Sequence, residues 1–203
     1  MAVIHHTTLR PAKVALLTHW LPSQPWYAVA ATPPVLTKAG GFRLDDPAGE
    51  VGIEFMVVTD QSGTAPVSYH VPMTYRGAPL AGAEQALIGQ AEHGVLGPRW
   101  VYDGARDPVL LMQLAELVRG GVQAQAQSVS DTRDPTVVVH FTGADLTERD
   151  LRVIRRLQPN EQHAVLGAGS AAGYVEAGWQ RPDGSLVRGR LVLVQDPAVL
   201  PAQ

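Results

Sequence analysis

Between positions 51 and 75 the chain alternates apolar with other residues along two arms. The first holds Val51, Ile53, Phe55 and Val57, the second Val67, Tyr69, Val71, Met73 and Tyr75, with Asp60-Gln61-Ser62-Gly63 between them. Successive side chains on a strand point to opposite faces, so a period of two describes extended chain with one buried face. The turn residues between the arms make the pair an antiparallel hairpin. A slip of one residue would carry every apolar side chain to the wrong face, so the register is pinned. Pro72 has no backbone donor, which predicts an edge position or a bulge.

The flanking segments supply the rest of the fold. Val3 to Leu9 reads as a short strand. After Pro11, residues Val14, Leu17 and Leu21 share one helical face, and that helix should stop before Pro22. Ser23 to Gly41, with Pro25, Pro33, Pro34 and Gly40-Gly41, reads as loop, and Phe42 to Leu44 as a short strand. Gly82 to His93 reads as a short helix ended by Gly94, and Trp100 to Tyr102 as a brief strand. Asp107-Pro108 is a cap followed by a first-turn proline. It opens a helix with Leu110, Leu114, Leu117 and Val118 on one stripe and Gly120 as terminator.

Gly121 to Pro135 is a polar connector. It divides the chain into a domain over residues 1–121 and an α/β extension over 122–203 that packs on it or continues it. In the extension Val137 to Phe141 reads as a strand, and Thr147 with Asp150 as a capping box ahead of a helix carrying Leu151, Ile154 and Leu157. Tyr174 to Trp179 and Leu186 to Val194, joined through Arg181-Pro182-Asp183-Gly184, form a C-terminal β-hairpin. No repeat and no βαβ series appears. The expected class is α+β, an antiparallel sheet with helices packed on one face.

Composition narrows the function classes. With 45% hydrophobic and 17% charged residues among 203, the chain can bury a core. It has no cysteine, so disulfides, thiolate metal sites and cysteine nucleophiles are excluded. A net charge of -3 argues against sequence-independent nucleic-acid binding. Neither a leader pattern nor a long apolar run is present, so the expectation is a cytoplasmic protein with no membrane contact. Lys13 and Lys38 are the only lysines, a bias that fits a GC-rich genome.

Several motifs invite chemistry that their context refuses. Gly167-Ala168-Gly169-Ser170-Ala171-Ala172-Gly173 could approach a phosphate, but a hairpin follows it where a dinucleotide site needs a long helix. The histidines, His5 and His6 included, lack zinc-ligand spacing, and no Gly-x-Ser-x-Gly elbow occurs. Asp45, Asp46, Glu50 and Glu54 could supply a carboxylate pair, yet Asp45-Asp46-Pro47-Ala48-Gly49 reads as a turn, and Asp103 with Asp107 as loop and cap. Arg149, Arg152, Arg155 and Arg156 read as a solvated helical face. No catalytic residue, cofactor or metal ligand is assigned. Trp26, Tyr27 and Trp100 are the candidate contacts for a partner or ligand, because aromatics with one polar end floor sugar sites and anchor interfaces.

Three segments, in order and spacing, resemble a known family. His19-Trp20-Leu21-Pro22-Ser23-Gln24-Pro25-Trp26-Tyr27 is similar to the Trp-Leu-Pro-x-x-Arg-Trp-Phe signature that opens the N-terminal cap of bacterial maltokinases, with Pro25 and Tyr27 in place of Arg and Phe. Tyr69-His70-Val71-Pro72-Met73 resembles the cap's Tyr-x-Val-Pro-Leu strand, and Asp103 to Pro108 its Asp-Ala-x-x-Asp-Pro helix start. Stand-alone actinobacterial proteins of this length, sometimes labelled glucan branching proteins, look similar. The resemblance covers about Val14 to Gly120. It implies a cystatin-like cap whose curved sheet wraps a helix, while the family's ATP-dependent phosphorylation of maltose belongs to lobes beyond the cap. No His-Gly-Asp catalytic loop is found, and Glu161-Gln162 lacks the rest of that family's phosphate loop. The resemblance therefore implies a non-catalytic binding or regulatory protein acting through a protein partner in glucan or trehalose metabolism. The alternative is a binder of sugars or sugar phosphates, or a minor enzyme, that uses the concave face of the sheet.

Overall fold

The computed structural model describes residues 9–127, 129, 132–143, 145–160 and 171–195. His5, His6, Glu161, Gln162 and Gly167 to Ser170, together with most of the strand expected over Val3 to Leu9, lie outside the described residues. In chain order the elements are β1 (Leu9–Arg10), α1 (Lys13–Trp20), β2 (Leu36–Leu44), β3 (Gly52–Asp60), β4 (Val67–Arg76), β5 (Leu87–His93), β6 (Gly97–Asp103), α2 (Pro108–Arg119), β7 (Gln125–Ala126), β8 (Val138–Phe141), β9 (Leu151–Val153), β10 (Ala171–Gln180) and β11 (Leu186–Gln195). The class is α+β. Among the described residues all strands join one antiparallel sheet in the order β1-β5-β6-β4-β3-β2-β10-β11-β9, with β7 paired to β2 and β8 to β10.

The hairpin legible in the sequence is the centre of this sheet: β3 and β4 pair from Gly52↔Tyr75 to Asp60↔Val67 without interruption. Contrary to expectation, both of its faces are buried. Ile53, Phe55 and Val57 enter one core with Leu110, Leu114, Leu117 and Val118 of α2. Met56 and Val58, their partners Val71 and Tyr69, and Met73 enter a second core with Leu16, Leu17 and Trp20 of α1. The two helices thus lie on opposite faces of the sheet rather than sharing one. Each fully buried leucine of α2 contributes roughly 1.5–3 kcal/mol of burial. Asp107 caps that helix through the Val109 amide, and Gly120 closes it at φ 80°, as the sequence indicates.

Pro72 sits neither at an edge nor at a bulge. On the side of β4 away from β3, the His70 amide donates to the Arg155 carbonyl at 2.9 Å, and the β6 ladder begins only at Met73↔Asp103. The missing N–H falls in the gap between these two partners.

Three other expectations are corrected. Leu36 to Gly41 is strand, not loop. Gly40 sits beside a register shift, where the backbone of β10 crosses at Trp179, and Gly41 adopts φ 130°. A Cβ on Gly41 would collide with the Phe55 carbonyl oxygen. Gly82 to His93 is not a helix but a 3-10 turn (Glu84–Ala86) leading into β5, whose pairing with β6 overrides local helix preference. Gly89 admits Leu16 of α1, a close approach that favours glycine in a strand. The Thr147–Asp150 capping box exists, but it caps a single 3-10 turn (Glu148–Asp150) that passes directly into β9, so Arg149, Arg152, Arg155 and Arg156 do not share a helix.

β10 and β11 pair antiparallel from Gln180↔Leu186 outward, and Val175, Ala177, Trp179, Leu191 and Val192 enter the same core as α2. Among the described residues no helix is long and apolar enough to cross a membrane.

Candidate functional site

The aromatic run after α1 organises one end of the molecule. The helix tightens into a 3-10 turn at Leu21–Ser23, and the Ser23 hydroxyl donates to the Trp20 carbonyl at 2.7 Å. Trp26 turns back onto Trp20 (ring centroids 5.8 Å, edge-on) and Tyr69 (5.9 Å), while Tyr27 lies 5.4 Å from Tyr69. Such tilted contacts suit the ring quadrupoles. The outer face of Trp26 is covered by the Arg155 guanidinium, 5.1 Å from the ring centroid, and Arg155 itself is ion-paired to Asp103 at 2.6 Å.

Asp60, buried at the end of β3, collects this segment. Its carboxylate accepts from the Tyr27 hydroxyl (2.6 Å), the Val35 amide (3.0 Å) and the Ser62 amide (2.9 Å). Burial alone would raise the Asp60 carboxyl, but the Tyr27 phenol and the two amides outweigh it and hold the pKa below its ordinary value. Burial and the same carboxylate push the Tyr27 phenol up to about 12. One anion thus fastens both ends of the loop between Tyr27 and Val35. The Ala28 amide donates to the Tyr69 hydroxyl (3.0 Å) and the Thr32 hydroxyl to the Ser62 carbonyl (3.1 Å), fixing the middle. The fastened loop, Ala28-Val29-Ala30-Ala31-Thr32-Pro33-Pro34-Val35, has no charge and one hydroxyl. Val29 is 86% and Val35 55% exposed.

A second polar cluster lies on the α1 face. Glu54, only 3% exposed, accepts from Lys13 Nζ and the Tyr75 hydroxyl, both at 2.6 Å, and from Gln127 Nε2 at 3.0 Å. Burial and the adjacent carboxylate push the Tyr75 phenol well above its ordinary value. Much of Lys38 is exposed, yet the packing around its ammonium lowers its pKa, with Lys13 adding to that and Glu54 opposing it. Of the chain's two lysines, Lys13 is bonded to this carboxylate and Lys38 is near enough to feel its charge. The sequence hides this, because Glu54 is out of phase with the apolar stripe of Ile53, Phe55 and Val57 and is buried only because the second face of β3 is covered as well, where a carboxylate demands a cation.

The other acidic candidates are engaged locally. Asp46 accepts from the amides of Ala48, Glu50 and Val51 and so closes its turn. Asp107 receives a two-pronged bond from Arg76 (2.7 and 2.6 Å) and one from the Thr74 hydroxyl (2.7 Å). Against the raising effect of its burial, these donors keep its pKa low. Among the described residues no group of three or more acidic or histidine side chains stands together as a metal site would require.

Trp26 and Tyr27 are brought together, but Trp100 is not. On β6, Val101 faces the α1 core and Trp100, opposite Arg76, points to the other side of the sheet. Residues 20–107 match the family model of the maltokinase N-terminal cap domain. The chain carries a maltokinase N-terminal cap-like domain. The matched stretch runs from the aromatic turn through β2–β6 to the Asp107 cap. No curated protein matches the chain. The cap-like domain supplies both the clamp at Asp60 and the loop it fastens, while Arg155, from beyond the matched stretch, covers Trp26.

Proposed function

We propose that this chain is a non-catalytic binding or regulatory protein in which the cap-like domain, carrying residues 122–203 as an extension packed on it, acts through a protein partner in α-glucan or trehalose metabolism. The observation that carries the reading is the loop over residues 28–35: apolar, exposed and fastened at both ends by the buried Asp60. Ordering a contact segment in advance removes an entropy cost from association, and an exposed apolar patch beside a half-buried tryptophan is the kind of surface that anchors protein contacts. Within this reading Trp26 borders the contact, Tyr27 acts through its bond to Asp60, and Trp100 lies away on the opposite face. The cystatin-like wrap of sheet around helix belongs to the same proposal, as does a cytoplasmic setting. The link to glucan chemistry rests on the resemblance of residues 20–107 to the maltokinase cap.

The test uses the full chain as bait beside a Val29→Asp/Val35→Asp variant. The expected result is a protein retained by the first, lost by the second, and binding saturably once purified. A protein bound equally by both, or none with saturable affinity, refutes the reading.

A further inference from the structure

The start of β4, residues 156–159 and the turn joining β10 to β11 line an open groove of about 450 Å³, within the range of small-molecule sites. None of its lining residues belongs to the 28–35 loop, and it does not depend on a protein partner. Two guanidiniums line it, Arg156 and Arg181. Among the described residues neither forms an ion pair, whereas their neighbours Arg155 and Arg188 are engaged by Asp103 and by the Thr136 carbonyl. The acid on the rim, Asp183, is already occupied by the Ser185 amide (2.9 Å) and hydroxyl (2.6 Å), which, with Arg181, hold its pKa low. Both bonds fall on one oxygen, Oδ1, and among the described residues no cation is ion-paired to the carboxylate.

The backbone beneath both arginines is fixed. Arg156 bridges Tyr69 of β4, and the next amide, Leu157, donates to the Ser68 carbonyl at 2.8 Å. The Arg181 amide donates to the Ser185 carbonyl at 2.8 Å, and its own carbonyl accepts from Gly184. Pro66, Pro159 and Pro182 line the walls and restrict their backbone further. Val67, Leu157 and Trp179 also border it, but Leu157 and Trp179 are 7% and 2% exposed, so the apolar surface open to a ligand is chiefly that of the prolines.

We infer that this groove binds a small organic oxyanion: a carboxylate or phosphate monoester gripped by Arg156 and Arg181, with a compact apolar body against Pro66, Pro159 and Pro182. Guanidinium forks match both headgroups in two-pronged geometry, and the apolar lining favours an ester or acid over the free inorganic ion.

The experiment titrates the full chain at low salt with phenyl phosphate and with benzoate, by calorimetry and thermal shift, beside the Arg156→Gln/Arg181→Gln double variant. The expected result is saturable binding of at least one probe with Kd below about 1 mM, a matching rise in melting temperature, and affinity about tenfold or more weaker in the variant. The charged ends reach solvent, so the unliganded variant should melt with the wild type. Absence of saturable binding by both probes overturns the inference, and so does equal affinity in the variant. Which probe binds identifies the headgroup.

Discussion

His70 should make this protein sensitive to mild acid. Its ring is fully buried on the α2 face of β4, stacked on Phe55 at 6.0 Å, and its Nδ1–H donates to the Ile154 carbonyl at 3.2 Å. Burial, with the positive charge of Arg155, lowers its pKa from 6.5 to about 3. The unfolded chain therefore takes up a proton as pH falls through about 6.5, while the folded protein does not until about 3. Stability contributed by the neutral ring is complete above 6.5 and is lost progressively between 6.5 and 3. Over the interval from pH 7 to pH 5 the loss amounts to about 2 kcal/mol. Urea unfolding of wild type and His70→Gln at both pH values isolates this group, since acids such as Asp60 and Asp107 act alike in the two proteins. Wild type should lose about 2 kcal/mol more than the variant across that interval. Equal losses would show that the ring is not held neutral, and that its seat between β4 and the 154–157 segment is misjudged.

Other substitutions test individual contacts. Asp60→Asn keeps the shape but weakens an acceptor that serves three donors. It should cost about 1–3 kcal/mol in denaturant unfolding and speed hydrogen exchange of the Val35 amide, and unchanged exchange would deny the clamp. Arg76→Met leaves the fully buried Asp107 carboxylate without its cation and should cost about 3–5 kcal/mol, measured the same way. Gly41→Ala combines a positive φ with a collision against the Phe55 carbonyl. It should cost about 3 kcal/mol or more, seen as a lowered melting temperature or loss of soluble protein.

The readings that survived are those in which local pattern and global need coincide. The alternation through β3 and β4 is long and bounded by a clear turn. The α2 helix carries its cap, its first-turn proline, its stripe and its terminating glycine in the right order, so tertiary packing had nothing to override. The failures occur where one local signal has two structural uses. Gly40-Gly41 looks like a turn but serves a bulge and the close approach of β10. Ala83-Glu84-Gln85-Ala86 looks helical but leads into a strand stabilised by pairing with β6. The capping box at Thr147 caps a turn as readily as a helix. The proline of β4 fills a gap between partners far apart in sequence, which no local pattern announces. In the candidate site, Trp26 and Tyr27 were legible from composition and the prolines around them. Asp60 was not, because a carboxylate in a turn sequence gives no sign that it closes a loop beginning at residue 27, and the arginine pattern around Arg155 suits a helix where the chain instead runs from a 3-10 turn into β9.

The central claim, that the fastened loop is a contact surface for another protein, is tested most directly by placing a photoactivatable amino acid at position 29 and, as control, at position 95 in the exposed turn between β5 and β6. On irradiation in cells the account predicts a discrete heteromeric adduct from position 29 that position 95 does not form. No adduct from position 29, or the same adducts from both, would contradict it.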